Sequence, residues 1–434
     1  MAKPQSTIRN PRPAIGSTLT RRGFVKATAA ATMAALGPNF AHAAGDEVIK
    51  VGLIGCGGRG SGAANDVLKA SPATRIVALG DLFKERVDGT RGRLTAKDNP
   101  NAARVDLPDD RCFVGFDAYK RVIDCGVDLV LMATPPAFRP AHMKYAADAG
   151  KHMFVEKPVA TDAPGVRTVL QVAKIADEKK LAIVAGTQRR HQSSYVQTIR
   201  RIHDGAIGDV IAGQVYWCQG GLWKRVREAG WSDMEWQIRN WLYFTWLSGD
   251  HIVEQHVHNL DVMCWVMNAH PVSAFGMGGR QVRTEPVYGN IFDHFAIEYE
   301  FANGARWLSM CRQIDGTDGR NGERAFGTKG KANPAGSLNT GGEVWRAPGG
   351  GMGAYQQEHA DLVASILAGK PLNEARQVAE STLVGIMGRM SAYTGKQVTW
   401  EQAMNSQQSL VPEQLEFGPL PVAPVAMPGR DPLV

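Results

Sequence analysis

Beyond its first 43 residues, no stretch of this 434-residue chain reaches 18 consecutive apolar residues, so the sequence offers no permanent membrane-spanning helix. The six cysteines (56, 112, 125, 218, 264 and 311) form no CxxC pair and no zinc-type spacing. Buried thiols are therefore expected, rather than a metal or disulfide framework. There is no internal repeat. The first 43 residues contain no acid at all, yet hold Lys3, Arg9, Arg12, Arg21, Arg22 and Lys26. Those six account for all but one of the formal net charge of +7, so the remainder sits near +1. An overall pI near 9.1 thus says nothing about nucleic acid, and no basic footprint for it is expected.

What the leading segment does contain is an export address. Thr20-Arg21-Arg22-Gly23-Phe24-Val25-Lys26 is a twin-arginine signature, residues 27–36 form a short alanine-rich apolar run, and Ala41-His42-Ala43 is an A-x-A cleavage site. Residues 1–43 are therefore expected to direct a folded protein to the periplasm and then be removed, leaving no membrane span.

A motif follows at once. The apolar run 51–54 leads into Gly55-Cys56-Gly57-Gly58-Arg59-Gly60, then a helix-compatible stretch 63–69, a second apolar run 75–80, and Asp81. Gly55 permits the tight strand-to-helix turn, Gly57 lets the backbone approach a pyrophosphate, and Gly60 lets helix and strand pack closely. The helix N-terminus presents unpaired N–H groups to the phosphates, and Asp81 stands where a carboxylate accepts ribose hydroxyls. Nucleotide binding by Gly55, Gly57, Gly58, Arg59, Gly60 and Asp81 is the expectation. The carboxylate favours NAD, although Arg59 beside the adenosine leaves NADP open. An exported protein meets no pool of free NAD, so the cofactor is expected to travel with the protein and be recycled in place.

Strand and helix patterns alternate over 46–186, as in a doubly wound parallel sheet of the Rossmann type. Its strand ends would bring Thr134-Pro135 and Glu156-Lys157 to the glycine loop. Over 187–405 the texture changes to period-two runs at 210–217, 271–283, 292–301 and 305–313, with Asn303-Gly304 as a hairpin turn. This predicts an α+β domain on an open, mainly antiparallel sheet, with helices at 354–368 and 376–393. Residues 316–356, rich in Gly, Asn and Pro, are expected to be mostly loop, and the proline-rich tail 406–434 to wrap a surface.

The signal, the glycine loop, Ala133-Thr134-Pro135, Ala149-Gly150-Lys151-His152 and above all Glu156-Lys157-Pro158 resemble the Gfo/Idh/MocA oxidoreductase family over nearly the whole mature chain. The resemblance implies that Lys157 sits by the nicotinamide and the reacting hydroxyl and that Glu156 contacts the nicotinamide ribose. Oxidation of a secondary alcohol needs a hydride acceptor and a base, and a partly desolvated lysine suits the second role. The family's Asp-x-Gly-x-His-x-x-Asp, laid onto this chain, falls on Glu254, His256, His258 and Asp261, with an acid one carbon longer and a histidine in place of glycine. Helical spacing would put Glu254, His258 and Asp261 on one face, His258 as acid or base and Glu254 holding a hydroxyl or sharing the proton with Lys157. His256 and Asp261 would join them at the substrate. Gln188 and Arg190 are candidate cofactor and substrate contacts, and Arg139 a nicotinamide neighbour. The aromatic cluster at Trp223, Trp231, Trp236, Trp241 and Trp246 reads mainly as core. His251, Glu254 and His258 do not have the His-Glu-x-x-His spacing, so no metal is expected.

The resemblance implies an oxidoreductase acting on a sugar, glycoside or cyclic polyol, working as a dimer or tetramer. Two net reactions that recycle their own cofactor stay open: a sugar–sugar oxidoreductase, and an NAD-dependent glycosidase that oxidises and re-reduces C3 around an elimination. A non-catalytic sugar- or nucleotide-binding protein is the reading from another class.

Overall fold

The computed structural model describes residues 48–433; the stretch expected to be a twin-arginine signal with its cleavage site lies outside them. β1 (Ile49–Ile54) is buried along nearly its whole length and pairs in parallel with β2 (Thr74–Asp81) on one side and β4 (Leu129–Met132) on the other. With β3 (Cys112–Val114), β5 (His152–Val155) and β6 (Ile183–Ala185) they form a six-stranded parallel sheet in the order β3-β2-β1-β4-β5-β6. Both faces are covered, which is why these strands read as unbroken apolar runs. Val130 and Met132 face a core shared with Met143 and Val166, while Leu129 and Leu131 face Ala64 and Val67 of the helix Gly58–Ala70. Strand order reverses between β1 and β4, and the crevice beyond their carboxyl ends is where such sheets bind ligands.

The second sheet has nine strands in the order β14-β13-β12-β11-β7-β10-β9-β8-β15, the last being the short strand Val398–Thr399. β7 (Val210–Gln219), β8 (Ser273–Gly279), β9 (His294–Glu300) and β10 (Arg306–Gln313) fall on the four period-two runs. All pairings are antiparallel except β7 with β10. Trp307, fully buried, and Ile297 fill its inner face.

The expectation of loop over 316–356 is overturned. Residues in this stretch build β11 (Arg320–Gly327), β12 (Gly330–Asn333), β13 (Ser337–Thr340) and β14 (Glu343–Arg346), a run of hairpins that extends the sheet. The Gly-rich composition supplies turns, as at Gly341 and Gly342 with φ of +61° and +95°. The strands bury little beyond Ala325, Ala332 and Leu338, so the alternation that marks a strand is nearly absent from their sequence.

The helices Ala354–Leu367 and Ala375–Thr394 lie where they were expected. The first of them sends Leu362 and Val363 into the core beneath the parallel sheet. The tail is pinned by Leu410 N–H to Asp162 (2.8 Å) and Leu420 N–H to Asp233 (3.0 Å), and Phe417 lies on Phe83 and Phe116 (centroids 6.0 and 5.3 Å).

Candidate functional site

The glycine loop owes its shape to contacts that only glycine allows. Gly55 has φ +96°, and a Cβ there would stand 2.7 Å from the Ala133–Thr134 backbone. A Cβ on Gly60 would lie 1.8 Å from the carbonyl oxygen of Gly55, so the first turn of the helix Gly58–Ala70 rests directly on the loop. Gly57 precedes that helix with no side-chain cap, leaving its first N–H groups open to an anion. A cavity of about 710 Å³ runs along this loop, lined by Gly55, Gly57, Gly58, Arg59, Asp81, Thr134 and Pro135. Trp223, Arg225, Ile238 and Trp241 of the second domain roof it. The cradle and the volume fit a dinucleotide.

Asp81, at the end of β2, accepts the N–H of Cys56 (2.7 Å) and of Phe83 (3.0 Å). Burial raises its pKa, against those two hydrogen bonds and the charge of Arg86. Arg59 turns away from the adenosine end. It pairs with Asp66 (2.9 Å) and Glu156 (3.1 Å) and lies 4.8 Å above the Tyr355 ring. The cation beside the glycine loop is Arg86, 3.1 Å from where a Gly57 Cβ would stand. Its place five residues after Asp81 was the available signal.

At the same carboxyl edge of the parallel sheet, Lys157 follows β5 and donates from Nζ to the carbonyl oxygen of Glu254 (2.6 Å), with Glu254 Oε1 at 3.3 Å. Glu254 closes a single helical turn, His251–Glu254, capped by Asp250. Asp250 is fully buried at φ +73° and accepts from the backbone N–H of His251 and Phe292 and from Tyr393 OH. Burial pushes its pKa up to about 6 despite those donors.

The expected continuous helix through Glu254, His258 and Asp261 is not formed. The chain breaks at Gln255-His256 and restarts as Val257–Met267, and Asp261 parts from Glu254 and His258, which both stay by Lys157. His258 stays near Lys157, its ring stacked on Trp217 with centroids 5.6 Å apart. Burial holds its pKa well below the usual imidazole range, and the charges of Lys157 and Arg189 push the same way, so the ring is neutral. Asp261 instead takes a two-pronged ion pair from Arg190 (Nε 2.8 Å, Nη2 2.9 Å) and a hydrogen bond from Ser381 Oγ (2.7 Å). Both residues expected at the substrate are thus engaged with each other. His256 is fully buried, with Nε2 2.8 Å from Ser309 Oγ on β10, and is likewise not on an open surface.

Gln188 reaches Tyr355 OH at 3.4 Å. Arg139 is buried and donates to the Pro158 carbonyl; burial lowers its pKa to about 10, with the charges of Glu156 and Glu254 opposing. Thr134 Oγ1 lies 3.4 Å from His142 Nδ1. Sequence reasoning missed Tyr355, Trp217 and the Arg189–Glu323 pair, since each reaches the site from a distant part of the chain. Among the described residues, no three His, Cys, Asp or Glu side chains are placed to hold a metal ion.

Comparison with known proteins agrees with this geometry. Residues 49–187 match the GFO_IDH_MocA model, described as "Oxidoreductase family, NAD-binding Rossmann fold", and residues 195–333 match "GFO/IDH/MocA C-terminal domain". A "Glycosyl hydrolase family 109 protein" of Streptomyces coelicolor is 27% identical over 186 residues, 43% of this chain and 36% of that protein. An "Inositol 2-dehydrogenase/D-chiro-inositol 3-dehydrogenase" of Halalkalibacterium halodurans is 30% identical over 164 residues, 37% of this chain and 42% of that protein. The aligned stretches therefore span well under half the length of these curated relatives. Among solved structures, the aldose-aldose oxidoreductase of Caulobacter crescentus, complexed with glycerol, superposes with a TM-score of 0.63 at 18% identity, over 81% of this chain and 99% of that one. The scyllo-inositol dehydrogenase of Lactobacillus casei, with bound NAD(H) and scyllo-inositol, gives 0.61 at 17%, over the same shares.

Proposed function

We propose, for a chain that belongs to the Gfo/Idh/MocA oxidoreductase family, hydride transfer between a nicotinamide dinucleotide and a secondary hydroxyl of a sugar, glycoside or cyclic polyol. The observation that carries this reading is the meeting of Lys157 with Glu254 beyond the end of β5, at the carboxyl edge of the sheet that carries the glycine loop. The loop 55–60 and the helix N-terminus would hold the pyrophosphate, Asp81 the adenosine ribose, and Glu156 the nicotinamide ribose. Thr134 and Pro135 line the same crevice, and Arg139 and Gln188 are further candidate contacts. The nicotinamide, when bound, supplies the hydride acceptor.

Lys157 takes the hydroxyl proton as the carbon gives up its hydride. The Glu254 carbonyl and carboxylate fix the amine and share its proton. Neutral His258 offers a second hydrogen-bonding partner to the substrate. Asp81 favours NAD, while Arg86 is the cation that would favour NADP. Asp261 and Arg190 act by holding the helix Val257–Met267 against the turn before residue 191, not by touching substrate.

The twin-arginine sequence supports export to the periplasm, and with it a retained cofactor recycled within each turnover. Pairing of copies is supported by the open sheet, whose outer face exposes Phe275, Met277, Leu308 and Met310. A second reading, the redox glycosidase, is favoured by the relative named as a glycosyl hydrolase.

The test uses mature protein purified without added nucleotide, mixed with sugars, polyols and aryl glycosides. Reduced-nicotinamide absorbance that persists until a second sugar is added supports the oxidoreductase. Catalytic aglycone release with no lasting absorbance supports the glycosidase. Neither signal, in protein shown to hold nucleotide, would count against both and favour a binding protein.

A further inference from the structure

At the carboxyl ends of β7 and β10, three glutamines meet. Gln219 and Gln313 stand at the same rung of the two parallel strands. Both donate from Nε2 to Oε1 of Gln255, at 3.3 and 2.5 Å. Their orientation is not free. Gln219 Oε1 accepts the indole N–H of Trp217 (2.8 Å), and Gln313 Oε1 accepts Nη1 of Arg283 (2.5 Å). An indole nitrogen and a guanidinium can only donate. Each therefore compels the amide oxygen beside it, and so the amide nitrogen of each outer glutamine must face Gln255. Gln255 must answer with its oxygen, which already takes two donors. Its NH2 group is left pointing elsewhere, forms no hydrogen bond among the described residues, and is not sealed from solvent.

The residue adjoins the Lys157 site along the chain. Gln255 follows Glu254, which holds the Lys157 amine, and Trp217 lies with its ring on His258. Of the cations at this wall, Lys157 is paired with Glu254 and Arg189 with Glu323, while the buried Arg283 spends its Nη1 and Nη2 on Gln313 and the Phe292 carbonyl. We infer that Gln255 is a specificity-determining residue whose orientation-locked NH2 donates to an uncharged oxygen of the substrate, so that the site takes a neutral hydroxylated ring rather than a sugar acid. The inference rests on the carbohydrate reading above and names the group that selects within it.

The experiment uses cofactor-loaded mature protein titrated calorimetrically, and assayed, with glucose, myo-inositol, their monodeoxy analogues and glucuronate. Wild type should bind a neutral ring in preference to glucuronate. Gln255→Leu should weaken that binding about ten-fold, raising KM with kcat little changed, and should also lower the melting temperature because Gln219 and Gln313 lose their acceptor. Gln255→Glu, the same shape without donors, should lose as much. The deoxy analogue that lacks the contacted hydroxyl should bind wild type and Gln255→Leu alike, because the interaction it would lose is already absent. Trp217→Phe keeps a ring and frees Gln219 to turn, and should weaken binding by a smaller factor. Unchanged affinity in Gln255→Leu or Gln255→Glu, or a preference for glucuronate, overturns this inference and leaves the oxidoreductase reading standing. Failure of wild type to bind or turn over any carbohydrate overturns both.

Discussion

Replacing Gly60 by alanine tests the cradle directly. The new Cβ would stand 1.8 Å from the Gly55 carbonyl oxygen and 3.3 Å from Ala133 Cβ, in a setting where separations under 3.0 Å essentially never occur. The first turn of the helix Gly58–Ala70 must retreat by at least the 1.2 Å difference between 1.8 and 3.0 Å, and its obstacle is backbone rather than a flexible side chain. Overpacking of this kind costs about 1–3 kcal/mol. The functional loss should be larger, because a displacement of about 1 Å at a positioned anion site costs on the order of 100-fold. Gly92→Ala is the control: it lies inside the helix Lys84–Leu94 with nothing within 4 Å of its Cβ, and should stabilise by roughly 0.5–1 kcal/mol. Titration calorimetry of nucleotide-free protein with NAD, together with melting curves, reads both terms. Wild-type NAD affinity in Gly60→Ala would refute the placement of the dinucleotide. An equal loss in Gly92→Ala would show that the effect is general and not local.

Three further outcomes are expected. Lys157→Met should slow single-turnover reduction of bound cofactor by about 10²–10⁴-fold while NAD binding persists, and Glu254→Gln should slow it less; unchanged rates would remove Lys157 from the chemistry. His191, with Nδ1 2.6 Å from Asp361 and Nε2 3.2 Å from Glu374, has a pKa raised from 6.5 to about 10: burial pushes it down, and the two carboxylates outweigh that. A raised folded-state value means that the stabilisation is fully present below pH 6.5 and lost as the pH rises toward about 10. At ~1.4 kcal/mol per pH unit the upper limit is about 5 kcal/mol. Urea titrations across that window should show wild type losing stability that His191→Gln never had, and parallel pH profiles would contradict the pairing. Phe417→Ala removes the tail ring packed on Phe83 and Phe116, both of which line the nucleotide cavity. It should destabilise by about 0.5–1.5 kcal/mol and speed the release of bound nucleotide, measured by filtration after dilution.

The glycine loop, Asp81 and Lys157 were legible in the sequence because each works through contiguous backbone. A turn that needs glycine and a residue at the end of a buried strand leave marks within a few positions of one another. The long alternating runs of β7 to β10 were legible for the same local reason. The strands between residues 320 and 346 were not, because hairpins that bury at most two side chains per strand, and none in the last, carry almost no periodic signal.

Tertiary structure decided most of the charge pairings. The meeting of Lys157 with Glu254 across 97 residues was expected from the family resemblance, but Arg190 taking Asp261 across 71 was not. Nothing local said that the helix would break at Gln255-His256 and send Glu254 and Asp261 to different partners. The sequence by itself settled that a glycine loop for a dinucleotide would lie at the carboxyl edge of a parallel sheet and that Lys157 would follow its fifth strand. Which side chains remain free to touch a substrate, and which are consumed holding the fold, was decided by packing. Long polar side chains choose their partners by proximity and desolvation, and both are properties of the folded assembly and not of any stretch of chain.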